Sequence, residues 1–227
     1  MYRYLHVMDP AERFVELVNH PERHAHLDLM AALIGAAFEP GTDVERTLIG
    51  LDRLAGDCSA SFDSILATLF ESGRLRGNTA DYGDPRNSYL HRVVERGIGI
   101  PISLSVCAIE VGRRLGVRIE GVGLPGHFFV VCDGEYADPF HGGERYTFDE
   151  LEPAWRRATG MAASLDGRLV QPSHTRSILL RMLNNLKNTM VAIDEPSQLQ
   201  VLAKLRSGFP ELAGENAERA RWLRHWN

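Results

Sequence analysis

The chain has 227 residues, 44% of them hydrophobic, and a formal net charge of −5 at pH 7. That length accommodates one substantial core or two small ones, and an acidic balance without basic clusters argues against nucleic acid as a partner. No apolar run approaches the roughly 18–20 residues of a membrane span, and no charged-then-apolar segment opens the chain, so a soluble cytoplasmic protein is expected.

The N-terminal third reads as helix. Ala11 to Val18, Leu27 to Phe38, Asp43 to Ala55 and Ser61 to Ser72 each repeat apolar residues at three- and four-residue spacing, with breaks at Asn19-His20-Pro21, Glu39-Pro40-Gly41, Gly56-Asp57 and Gly73. Residues 1–83 are therefore expected to form a helical cap packed on something else. His20, His24 and His26 lie close together, but only His20 and His24 share a helical face, and Pro21 marks a helix start there. The three cysteines, Cys58, Cys107 and Cys132, show no CxxC or zinc spacing, and their odd, sparse count suits a reducing compartment. No metal and no cofactor are expected.

Gly77 to Pro85 is a turn-rich loop, after which Asn87 or Ser88 is expected to cap a short helix through Glu95 that stops at Gly97. Asp84, Arg86 and Asn87 read as loop anchors or capping residues.

The central helix comes next. Pro101 near its start, apolar residues at Leu104, Cys107, Ala108, Val111 and Leu115, and Gly116 at its end define it. Val106 and Ile109 fill its other side, so it is apolar almost all round and belongs inside the protein. A buried helix N-terminus carries unpaired N–H groups and a partial positive charge, a setting that activates a nucleophile or holds an anion.

The period then changes to alternation. Arg118 to Gly123, His127 to Cys132 and Glu135 to Phe140 read as short strands, with Asp133-Gly134 as a two-residue hairpin turn. That turn sets Cys132 opposite Glu135, Val131 opposite Tyr136 and Val130 opposite Ala137. His127 and Asp138 then share a face as diagonal neighbours, with roughly 7–8 Å between their backbones, close enough for a long side chain to bridge. Tyr146 to Arg157 reads as a strand entering a helix, and Thr159 to Pro172 as a linker or loose hairpin. In the tail, Ile178, Leu179, Met182, Leu183, Leu186 and Met190 form a helical stripe expected to dock on the core. Shorter helices are expected around Leu199 to Leu205 and Asn216 to Trp226, with Phe209, Trp222 and Trp226 covering the stripe or offering a partner surface.

The order of a helix-start nucleophile, a strand-start His and an Asp-Pro on the next strand resembles the transglutaminase-like, papain-type core. Gly77-Asn78, Asp84-Pro85-Arg86-Asn87-Ser88-Tyr89-Leu90, Gly99-Ile100-Pro101-Ile102-Ser103-Leu104, Gly121-Val122-Gly123-Leu124-Pro125-Gly126-His127-Phe128 and Asp138-Pro139-Phe140-His141-Gly142-Gly143 are similar to the bacterial SirB group of that superfamily. Arg181-Met182-Leu183-Asn184-Asn185-Leu186-Lys187 resembles the helix that opens the group's tetratricopeptide-like tail. The resemblance implies an α+β fold: a cap over 1–83, a transglutaminase-like core over 84–160, and a linker with a tetratricopeptide-like helical tail over 161–227.

Active transglutaminase-like proteins place Cys at the helix start; here that place falls at Pro101 to Ser103, and Ser103 is its best occupant. A serine there is also an ordinary helix cap, and as a nucleophile it needs general-base help and an oxyanion hole. His127 reads either as that base or as a satisfied strand-start histidine, and Asp138 either as its orienter or as a turn residue before Pro139. Two functions follow. One is a pseudoenzyme that keeps the fold to bind a peptide or protein, the reading the missing Cys favours. The other is a serine-variant enzyme of acyl transfer or amide hydrolysis built on Ser103, His127 and Asp138.

Overall fold

The computed structural model describes residues 8–20, 26–193 and 195–212. Asp9 starts its first helix, α1 (Pro10–Asn19), by accepting the backbone N–H groups of Ala11 and Glu12 at 3.0 and 3.1 Å. Helix α2 (Leu27–Phe38) is apolar on nearly every side, and it is correspondingly enclosed, with ten of its twelve residues buried. Asp43 caps α3 (Val44–Gly56) through the Arg46 N–H at 3.1 Å.

The expected helix from Ser61 to Ser72 is interrupted. α4 (Phe62–Leu66) passes into a π-helical turn over Ala67–Glu71, which widens the backbone by one residue per turn. A short parallel pair joins β1 (Arg76–Gly77) to β2 (Ile98–Gly99) on either side of α5 (Leu90–Arg96). Asn87 and Ser88 do not cap α5; Tyr89 precedes it with no side-chain cap bond. The Asn87 side chain is turned inward instead, donating to the Asp81 carbonyl at 2.8 Å and accepting from Asn78 at 3.1 Å. Closing the 78–87 loop takes the group that would have capped the helix.

α6 (Pro101–Leu115) begins at Pro101 and ends on the left-handed Gly116 (φ 72), as its sequence predicts. Eleven of its residues are buried, Ser103, Ser105 and Glu110 among them. Against it lies a four-stranded antiparallel sheet of order β3-β4-β5-β6, with β3 Glu120–Leu124, β4 His127–Cys132, β5 Glu135–Asp138 and β6 Glu144–Tyr146. The hairpin register is the one that Asp133-Gly134 dictates, pairing Cys132 with Glu135, Val131 with Tyr136 and Val130 with Ala137.

Strand β4 is buried along its whole length, and its alternation splits the core in two. Phe128, Val130 and Cys132 join the large cluster that includes α6, while Phe129 and Val131 join a smaller one with Trp155 of α7 (Phe148–Thr159). The last elements are α8 (Thr175–Ile193) and α9 (Pro196–Arg206). The expected stripe of α8 is buried in the large cluster, and Phe209 is fully enclosed against Phe14 with the Arg176 guanidinium 4.5 Å above its ring. The helix expected at Asn216 to Trp226, with Trp222 and Trp226, lies outside the described residues. Among the described residues, no helix is long and apolar enough to cross a membrane.

Candidate functional site

His127 opens β4 directly after the Pro125-Gly126 turn, where Gly126 takes the left-handed conformation (φ 72). Its ring stacks edge-on against Phe129, with centroids 4.7 Å apart, and against Phe140 at 6.2 Å. Packing on both sides fixes the imidazole, and its Nε2 lies 2.7 Å from Oδ2 of Asp138.

Asp138 ends β5, and Pro139 turns the chain into a single 3-10 turn, Pro139–His141. The carboxylate is committed on both oxygens. Oδ1 accepts the backbone N–H groups of Phe140 and His141 at 2.9 and 3.3 Å, which orients the group as the Asx-type turn predicts. Oδ2 faces two imidazoles, His127 Nε2 and, at 2.8 Å, Nδ1 of His141. Asp138 is 1% exposed and His127 5%, whereas the His141 side chain is 41% exposed, so the cluster opens to solvent at His141. Burial raises the Asp138 pKa, but the hydrogen bonds from His127 and His141 outweigh it and bring the carboxyl down to about 2. The bond from Asp138 in turn raises His141.

Ser103 sits at the third position of α6 with no exposed surface. Its hydroxyl oxygen accepts the Ile100 N–H at 3.0 Å, and its proton goes to the Asn87 carbonyl at 2.6 Å. The fit is tight: a Cβ on Gly99 would fall 2.7 Å from this hydroxyl, so the glycine makes room for it. Ser103 makes no hydrogen bond to His127. His127 and Asp138 thus come together, and Ser103 is tied to the loop that Asn87 closes. Burial pushes the thiol of Cys107, one turn deeper in α6, up to about 12, as an inert core cysteine.

Three further residues matter here. His141 completes the carboxylate's surroundings; the sequence motif contains it, but its i+3 spacing from Asp138 signals a turn as readily as a site. Asn87 receives Ser103 through its carbonyl. Arg181, on α8, donates from one terminal nitrogen to the carbonyls of Leu124 at 2.7 Å and His127 at 3.0 Å, and no local pattern announces it. Three surface cavities of about 1060, 940 and 610 Å³ are lined by other residues, not by Ser103, His127 or Asp138.

A family model described as the transglutaminase-like superfamily matches residues 24–184. A UPF0162 protein of Xylella fastidiosa (strain Temecula1) is 45% identical over 133 residues, covering 56% of this chain and 47% of that protein. One from Pseudomonas aeruginosa is 29% identical over 195 residues, covering 77% and 72% respectively. The human F-box only protein 21 is 31% identical over 140 residues, covering 56% of this chain and 21% of that protein. The chain spans about half the length of the Xylella relatives it matches, 47% and 44%. No solved structure matches it significantly.

Proposed function

The chain belongs to the transglutaminase-like superfamily, and on that premise we propose that it is a member of the SirB group in which Ser103 replaces the nucleophilic Cys. It acts as a non-catalytic regulatory module that binds a peptide or protein. The observation that carries this reading is the engagement of the Ser103 hydroxyl, donor to Asn87 and acceptor from Ile100, away from solvent and from His127. A nucleophile needs its proton directed at a base and its oxygen open to a substrate carbon. Ser103 has neither.

Binding is supported by the rim of the site. Tyr82 is 52% exposed and meets the Phe140 ring edge-on at 5.9 Å, and Phe140 meets His141 at 5.1 Å, giving an aromatic edge of the kind that anchors peptides.

The test is incubation with a serine-directed fluorophosphonate, read by peptide mapping. No modification of Ser103 is expected. The close His127–Asp138 pair favours a second reading, acyl transfer or amide hydrolysis by Ser103, His127 and Asp138. Labelling of Ser103 that disappears in His127→Ala would establish that reading and overturn the first. Peptides selected on the wild-type protein are expected to bind Tyr82→Ala about tenfold more weakly, the loss of one aromatic anchor; unchanged affinity would remove the rim from the binding surface.

A further inference from the structure

We propose that His127, Asp138 and His141 form a binding site for one divalent transition-metal ion. One ligand atom from each, an imidazole nitrogen, a carboxylate oxygen and a second imidazole nitrogen, lie within 4.8 Å of one another. The two nitrogen-to-oxygen separations, 2.7 and 2.8 Å, are hydrogen-bond contacts, and an ion with bonds of about 2.0–2.2 Å opens them to roughly 2.8–3.1 Å in an octahedral shell or roughly 3.3–3.6 Å in a tetrahedral one, a displacement that the half-exposed His141 side chain can make. An ion seated among the three takes the place of the protons now shared with Oδ2.

The surroundings favour an ion for three reasons. First, Asp138 is a buried carboxylate whose ion-pair partners, among the described residues, are these two histidines alone; no arginine or lysine reaches it. A divalent ion seated beside this buried carboxylate would balance its charge. Second, the ligands are held in place by outer contacts of the kind metal sites use. Oδ1 is anchored by the Phe140 and His141 N–H groups, and the His127 ring is packed between Phe129 and Phe140. Third, the exposed His141 provides an entry side, where water completes the coordination shell.

Two nitrogens and one carboxylate oxygen suit Zn2+, Co2+ or Ni2+ better than Mg2+ or Ca2+, which prefer all-oxygen shells. Coordination through Nε2 of His127 and Nδ1 of His141 leaves each neutral imidazole with its proton on the other ring nitrogen. Any proton displaced from a coordinating nitrogen beyond that leaves to solvent on the exposed His141 side, so binding weakens as pH falls. The inference rests on these three residues and is independent of the role given to Ser103.

The test uses the full chain, freed of metal by a chelator that is then removed, and titrated with ZnCl2 by calorimetry and with CoCl2 by visible absorption. One equivalent of each metal is expected to bind, with the Co2+ spectrum of a site containing nitrogen ligands and a raised melting temperature. His141→Ala, at the exposed edge, should fold like the parent and bind roughly 100-fold more weakly, since even outer-contact losses cost about 10–100-fold. Asp138→Asn should lose binding as well. Removing His20, His24 and His26 together should leave affinity unchanged. Absence of a Co2+ spectrum in the parent overturns the proposal. So does affinity that survives His141→Ala and Asp138→Asn, or that falls with the His20, His24 and His26 set. Fluorophosphonate labelling is read separately, so either proposal can fail without the other.

Discussion

Arg181 of α8 holds the main chain at His127: one guanidinium nitrogen bonds the His127 carbonyl at 3.0 Å and the Leu124 carbonyl at 2.7 Å, bracing both ends of the β3–β4 turn. The guanidinium lies 5.4 Å from the Phe128 ring centroid, and a Cβ on Gly123 would come within 3.1 Å of it. The tail helix is thereby part of the frame that positions the site. Replacing Arg181 with Met keeps much of the aliphatic volume and removes both guanidinium hydrogen bonds to these carbonyls. Arg181→Met is expected to lose about 1–3 kcal/mol in urea unfolding and to shift the His127 imidazole resonances. A stability within about 0.5 kcal/mol of the parent, the range of ordinary surface changes, would mean that the brace is dispensable.

The α8 stripe gives a second prediction. Leu183 and Leu186 are fully buried, and Ile178, Leu179, Met182 and Met190 are at most 3% exposed, all in the cluster shared with α2 and α6. Leu183→Ala should cost about 2–5 kcal/mol by opening a cavity. Deleting the chain from Thr175 onward should uncover the whole face and produce an aggregating protein. A truncated chain that stays monomeric with unchanged melting would make the tail an independent appendage.

Much of this arrangement is legible in the sequence because it is local. The Pro101 start and Gly116 stop of α6, the Asp133-Gly134 turn and the period-two pattern of β4 are each set by near neighbours, and together they bring His127 to Asp138. Ser103 is different: position along the helix cannot say whether its hydroxyl faces a base or a carbonyl, and its partner Asn87 is sixteen residues away. Arg181 is farther still, 54 residues from His127, so its role appears only once α8 is packed. The π turn after α4 carries no composition signal, and its helix-like apolar spacing concealed it.

A third prediction concerns the charge cluster between α2 and α6. Asp28 receives Arg113 and Arg114 at 3.0 and 2.6 Å, and Glu110 receives Arg113 at 2.7 Å and Arg114 at 3.1 Å. Burial opposes the charge on Asp28, but the Arg114 hydrogen bond, the Leu29 N–H and the charges of both arginines together outweigh it and lower the carboxyl below its usual 3.8. Burial, with the Asp28 charge next, raises Glu110 above 4.5. The signs are opposite. Asp28 adds stability above 3.8 that is lost as pH falls through its depressed folded value. Glu110 loses stability as pH rises from 4.5 through its raised one. Glu110→Gln, which keeps an acceptor for the arginines, should therefore melt like the parent near pH 4 and gain on it as pH rises. A parent that gains on the variant over that range would reverse the assignment. Asp28→Asn should lose stability relative to the parent above 3.8.

The last prediction concerns Ser103 as a structural residue. Ser103→Ala removes the acceptor for the Ile100 N–H and the donor to the Asn87 carbonyl at a site with no access to water, so a loss of about 1–3 kcal/mol is expected. Ser103→Cys places a thiol in the same enclosed position. If the residue is a cap, that thiol should react with iodoacetamide as slowly as the buried Cys107, and His127→Ala in the same background should leave the rate unchanged. A thiol within reach of an imidazolium at a helix N-terminus behaves otherwise, with a pKa of roughly 3.5–7.5 and rapid alkylation at mildly acidic pH. Peptide mapping of alkylation across pH, with Cys58, Cys107 and Cys132 as internal references, separates the two. Fast, His127-dependent modification at position 103 would show that the site lacks only its nucleophile and that capping is the secondary role of Ser103.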